Sequence, residues 1–204
     1  MSRQPRRIGL TGNIGAGKST AARLLADRGA VLIDADALAR QATDDPAVLT
    51  RIAMELGDDL VLGGRLDRAA TAAKVFADPG ARQALNDIVH PWVRQQSAER
   101  AAALERQAEP PDVILFDIPL LYENGLEQGL DAVVVVVADP GVRLARVRAR
   151  SGLTEEAFRA RDRAQLPLAE KAARADYVLD NNGSLEALEA QVDALWPKLA
   201  GRSG

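Results

Sequence analysis

Gly12-Asn13-Ile14-Gly15-Ala16-Gly17-Lys18-Ser19 follows the spacing G-x-x-x-x-G-K-[ST], and each part of that pattern answers a need of polyphosphate chemistry. Glycines let the backbone curl until successive N–H groups point inward, where they and a helix N-terminus surround an anion with partial positive charge. Lys18 is placed to reach the β and γ phosphates and the Ser19 hydroxyl to ligate Mg2+. Asn13, Ile14, Gly15, Ala16, Gly17, Lys18, Ser19 and Thr20 are therefore expected to hold ATP. Asp117 closes the apolar run Val113-Ile114-Leu115-Phe116, the place where a second carboxylate organises magnesium beside such a loop.

Other candidates are less specific by themselves. Asp34 and Asp36 lie two residues apart at the end of an apolar run; on a strand they face the same way, so either is a candidate general base, and either is equally a turn or helix cap. His90 is the only histidine, and a helix-end cation is its ordinary reading. Arg143, Arg146 and Arg150 recur at helical spacing, with Arg159, Arg161 and Arg163 beyond. Glu155, Glu156 and Asp162 are available to pair with them, but phosphoryl transfer needs positive charge at the γ phosphate, and Arg146, Arg150 or Arg161 is expected to bring it.

Short β-rich runs position these groups: Arg7–Thr11, Val31–Asp34, Val113–Asp117, Ala132–Ala138 and Tyr177–Leu179. They alternate with helical stretches, which predicts an α/β fold with a parallel sheet covered on both faces. Val133–Val137 has no polar alternation and suits a strand buried on both sides. Residues 41–111 read mainly as helix, with a long segment from about Pro79 to Gln107 in which Pro91 is expected to interrupt the helix. The arginine-rich stretch to Arg174, broken at Ser151-Gly152 and Pro167, reads as a movable helical flap.

Composition narrows the function classes. A chain of 204 residues with net charge −3 has no basic footprint for nucleic acid, and with no cysteine it has no thiolate site or disulfide. The start MSRQPRRIGL runs into a glycine turn instead of an apolar leader, and no apolar run approaches about 20 residues. A cytoplasmic protein without membrane contact is expected, as a monomer or small homo-oligomer. There is no N-K-x-D segment to read guanine, so a switch GTPase fits poorly. A small-molecule or nucleotide kinase fits best; a nucleotide-gated binding module is the non-enzymatic alternative.

Five segments in order then bring a specific likeness: Thr11-Gly12 through Thr20, Ile33-Asp34-Ala35-Asp36 through Arg40, His90-Pro91-Trp92-Val93-Arg94, Asp117-Ile118-Pro119-Leu120-Leu121-Tyr122-Glu123, and Ala175 through Gly183. Together the chain resembles the dephospho-CoA kinases over nearly its whole length; Asn13 stands where that family often has glycine, a difference that asparagine's tolerance of unusual backbone angles accommodates. The resemblance implies a three-layer P-loop kinase-like core with a five-stranded parallel sheet (residues 1–40 and 112–204, with a helical lid at about 146–174) and an inserted helical acceptor region (41–111). It also implies transfer of the ATP γ-phosphoryl group to the ribose 3′-hydroxyl of dephospho-CoA. Asp36 is then the implied base, acting with Lys18 and a lid arginine. Thr11, Asp36, His90, Arg94, Pro119, Leu120, Leu121 and Glu123 are the implied acceptor contacts, and Ser19 and Asp117 the magnesium ligands.

Overall fold

Each β-rich run forms a strand. In the computed structural model, which describes residues 4–201, β1 (Arg6–Thr11) leads through the glycine loop into α1 (Lys18–Asp27), then β2 (Val31–Asp34) and α2 (Ala35–Ala42). Helix α3 (Pro46–Leu56), short strands β3 (Val61–Leu62) and β4 (Arg65–Leu66), α4 (Arg68–Ala77) and α5 (Pro79–Glu105) follow. The chain returns through β5 (Val113–Asp117), β6 (Ala132–Val137), α6 (Pro140–Ser151), α7 (Glu155–Arg163), α8 (Leu168–Arg174), β7 (Tyr177–Asp180) and α9 (Leu185–Leu199).

The main sheet has the order β2-β5-β1-β6-β7, with β1 parallel to β5 and β6, and β6 parallel to β7. Strand β6 is internal, and its run of valines is explained by where alternate side chains go. Val134 and Val136 join Ile8, Leu10, Leu25 and Val192 under α1 and α9. Val133 and Val135 pack instead against Leu121 and Tyr122, with Leu166 and Leu168 beside them. Both faces are dry, so the strand has no polar side to show.

The described residues up to Ile33, with those from Leu104 onward, form one compact unit, and Asp34–Ala103 forms another. In the second unit Val48, Ile52, Leu56, Leu60, Ala81, Ile88 and Val89 make a separate core. Two features there differ from expectation. Val61–Leu62 and Arg65–Leu66 pair as an antiparallel hairpin inside the region read as helix. Its turn is Gly63-Gly64 with φ of 58° and 76°, the left-handed pair that a tight two-residue hairpin demands. Pro91 also fails to break α5, which runs through it to Glu105. A proline removes one backbone donor, and here the packing of Ile88 and Val89 before it, and of Trp92 and Val93 after it, holds the helix together.

Candidate active site

Thr11 ends β1 at the carboxyl edge of the sheet, where open α/β sheets receive their ligands. The loop that follows can close only with glycine. Gly15 has φ of 78°, and a Cβ there would stand 2.6 Å from the Arg143 carbonyl oxygen; one on Gly12 would meet the Val136 carbonyl oxygen at 2.6 Å. Gly17, at φ 95°, begins α1 without a side-chain cap. The first-turn amides of a helix have no partner within it, and here they adjoin the curled loop.

Asn13 does not use the backbone freedom expected of it, since among the described residues only glycines have positive φ. Its side chain does the work instead. The Asn13 amide donates to Asp162 Oδ1 at 3.0 Å and to the Leu166 carbonyl at 3.1 Å, while the Ile14 N–H donates to Gln165 Oε1 at 2.9 Å. The α7–α8 connection is thus bonded to the phosphate loop.

Lys18 Nζ lies 2.5 Å from Asp117 Oδ1, so the loop lysine and the strand-end carboxylate are brought together. Ser19 is exposed in the first turn of α1. A hydroxyl and a carboxylate are hard oxygen donors of the kind Mg2+ takes, with phosphate and water completing its shell. No cluster of three or more His, Cys, Asp or Glu side chains suited to a metal occurs among the described residues.

The arginines separate sharply. Arg143 is buried, donates to Asp162 at 2.5 Å and 3.1 Å through its two terminal nitrogens, and stacks over Phe158 at 5.4 Å. Together with the Asn13 amide it holds the Asp162 carboxyl below the ordinary carboxylate range, against the opposing effect of burial. Arg146 donates through Nη2 to Asn181 Oδ1 at 3.3 Å, while its Nη1 is buried with no hydrogen-bond partner among the described residues. Arg150 and Arg161 are exposed, and none of the loop's described hydrogen bonds reaches them.

The segment after Asp117 is held from below. The Pro119 carbonyl accepts from Thr11 Oγ1 at 3.1 Å and from Lys171 Nζ at 3.3 Å. Lys171 is fully buried and pairs with Glu123 at 2.7 Å; Glu123 also accepts the Leu166 N–H at 2.9 Å. Leu121, expected as an acceptor contact, is a core side chain with no exposure, whereas Leu120 is exposed. The alternation follows from the turn after β5, which folds Leu121 back under β6.

In the second unit the helix starts at Ala35, so Asp34 and Asp36 do not share a strand face. Asp34 caps α2 by accepting the Ala37 N–H at 2.9 Å, and Asp36 is exposed in the first turn. His90 and Arg94 sit four residues apart on α5. Burial, then the Arg94 charge, push His90 below its ordinary value of 6.5, with Asp87 opposing; the imidazole is neutral at pH 7. Trp92 donates to Asp45, the cap of α3, at 3.0 Å.

Sequence spacing gives Gln165 and Lys171 no role, offers Arg143 and Asp162 only as one arginine of a helical set and one of three acids available to it, and carries Asn181 only inside a motif. The Asn181-Asn182-Gly183 turn at the carboxyl end of a strand was a usable signal for Asn181. Nothing in the sequence marks Lys171 as buried.

A phosphate loop between the first strand and first helix of a parallel sheet, with an arginine-bearing helical segment bonded to it, defines the P-loop kinase class. Residues 6–187 match the family model described as dephospho-CoA kinase. A dephospho-CoA kinase of Deinococcus radiodurans is 54% identical over 190 residues, 93% of this chain and 90% of that protein. Among solved structures, one from Thermus thermophilus superposes with a TM-score of 0.81 at 44% identity, covering 99% of this chain and 100% of the other. The dephospho-CoA kinase from Campylobacter jejuni gives 0.72 at 25% identity, with 97% and 98% covered. The chain belongs to the dephospho-CoA kinase family. It is an enzyme, a kinase of coenzyme A biosynthesis with ATP as its phosphoryl donor.

Proposed function

We propose that the enzyme transfers the ATP γ-phosphoryl group to the ribose 3′-hydroxyl of dephospho-CoA through the residues described above. The acceptor rests on the family; the observation that supports the phosphoryl-transfer site is the buried Nη1 of Arg146, without a hydrogen-bond partner among the described residues, beside a glycine loop whose Lys18 pairs with Asp117. A buried cationic donor without an acceptor costs free energy unless an anion completes it. The amides of Gly15, Gly17, Lys18 and Ser19 hold the β and γ phosphates. Lys18 follows the charge that moves toward the bridging oxygen, and Arg146 stabilises charge on the transferred group.

Ser19 and Asp117 would hold Mg2+, whose charge neutralises the polyphosphate when bound. Asp36 accepts the proton of the attacking hydroxyl, and His90 and Arg94 hold the acceptor; these roles rest on the family motifs. Neutral His90 offers both a donor and an acceptor, and Arg94 a fork for phosphate. Thr11, Pro119 and Leu120 border the acceptor, with Glu123 fixing that segment from behind. Residues 41–111 serve as the acceptor region and about 146–174 as the lid, which excludes the water that would otherwise take the phosphoryl group. The enzyme works in the cytoplasm, without nucleic acid or membrane, as a monomer or small homo-oligomer.

ADP release measured over dephospho-CoA, AMP and adenosine tests the acceptor. Dephospho-CoA should react far faster, because its remote pantetheine and diphosphate contribute binding energy that positions the hydroxyl. Equal rates on all three would refute the assignment.

A further inference from the structure

The carboxyl end of β7 carries a side chain that touches both halves of the phosphate machinery. Asn181 follows Asp180, is 6% exposed, and is anchored by its own N–H to the Val137 carbonyl at 2.8 Å. Its Nδ2 donates to the Ala16 carbonyl of the phosphate loop at 2.8 Å, and its Oδ1 accepts from Arg146 Nη2 at 3.3 Å. Ala16 offers an acceptor there and Arg146 only donors, so a single orientation of the amide satisfies both. A Cβ on Gly17 would collide with this amide and stand 3.8 Å from Arg146 Nη1. The absence of a side chain at Gly17 is therefore what lets Asn181 lie against the loop, whereas Arg146 would meet a Cβ there only at ordinary contact distance.

We infer that Asn181 is a positioning residue: it joins the Ala16 carbonyl to the Arg146 guanidinium and so sets where the free Nη1 stands relative to the transferring phosphoryl group. The inference rests on the assignment of Arg146 to that group. A guanidinium on a flexible stem loses rotamer freedom to hold one place, and that cost falls outside the transition state when a rigid partner has already fixed it. Asn181 suits the task because two strands hold its backbone. An acidic residue at the same point would neutralise the arginine, whereas the neutral amide orients the guanidinium and leaves its charge for the phosphate. Asn181 touches no reacting atom in this scheme; it acts through Arg146.

Single-turnover phosphorylation and ADP binding, measured for Asn181→Ala, Arg146→Ala and the double variant, separate positioning from plain structural support. Asn181→Ala should lower the transfer rate about tenfold to a hundredfold, the range expected when a catalytic group is misplaced by about an ångström. ADP affinity should stay within about threefold of the parent, a band narrower than the rate loss. In the Arg146→Ala background the same substitution should cost less than about threefold, because the group it positions is gone. Asn181→Ser, too short to span Ala16 and Arg146 together, should repeat the pattern and stands in should the alanine variant fail to fold. Equal losses in both backgrounds, or an ADP affinity that falls with the rate, would mean that Asn181 supports the loop itself and would overturn the inference. A parental rate for Asn181→Ala beside a defective Arg146→Ala would sink the positioning role alone. A parental rate for Arg146→Ala would remove the assignment of Arg146 and the inference with it.

Discussion

Lys171→Met tests the buried contact that ties α8 to the segment after β5. The substitution keeps the length of the side chain and removes its charge. In the parent, the ammonium has no exposure and lies 2.7 Å from Glu123, whose side chain is 16% exposed. Without it, the carboxylate keeps only the Leu166 N–H at 2.9 Å among its described hydrogen bonds, and its Oε2 is already buried without a partner. Breaking a buried ion pair by removing one member typically costs about 3–5 kcal/mol. The residual exposure of Glu123 places this case near the lower end, at about 3 kcal/mol. Replacing both members removes the stranded charge, so Lys171→Met with Glu123→Gln should recover at least about 2 kcal/mol of the summed single losses. Urea unfolding followed by circular dichroism reads this directly. With a slope of about 2–3 kcal/mol/M, the single variant should unfold roughly 1–1.5 M earlier than the parent. A Lys171→Met protein within about 0.5 kcal/mol of the parent, or a double variant that loses the full sum, would refute the account of a charge stranded by its partner's removal.

Lys18→Ala should lower kcat by orders of magnitude, since the lysine follows charge that grows in the transition state, and should also lower the unfolding midpoint because the ion pair with Asp117 is lost; a folded variant with near-parental kcat would contradict the phosphate loop's role. Asp36→Asn should still bind ATP but lose rate toward the ~10²–10⁴-fold range of general acid–base catalysis. Asp34→Asn keeps a good helix cap and should stay stable, whereas Asp34→Ala should cost about 1 kcal/mol. Single-turnover rates that fail only in Asp34→Asn would move the base to Asp34. Of Arg146→Ala, Arg150→Ala and Arg161→Ala, only the first should show a large kcat defect; a defect confined to either exposed arginine would reassign the cation. The stability difference between the parent and Asp162→Asn should be flat above about pH 5 and shrink below about pH 4. The Asp162 carboxyl is held down chiefly by its hydrogen bonds from Arg143. The stabilisation is therefore present above the unfolded value and lost as pH falls through the folded one. A difference that faded near pH 6 would point to another group.

Much of this protein can be read along the chain because the signals are local. Strand–glycine loop–helix order and the run Val133–Val137 depend on neighbours within a few residues. So does the Gly63-Gly64 hairpin, whose glycine pair is a local turn signal within a mainly helical region. The five ordered motifs were enough to place the chain among the dephospho-CoA kinases. What tertiary structure decided is which of several chemically equal side chains does what. Arg143, Arg146, Arg150 and Arg161 are alike in sequence, yet one is consumed by Asp162, one is turned to Asn181 and the loop, and two face solvent. Asp34 became a cap because the helix begins one residue after it, and Leu121 became core because β6 covers it. Lys171 and Glu123 meet across 48 residues of chain as a buried pair that no spacing announces. Burial and pairing depend on contacts between distant segments, and a charge has no fixed role until its partner and its exposure to water are set.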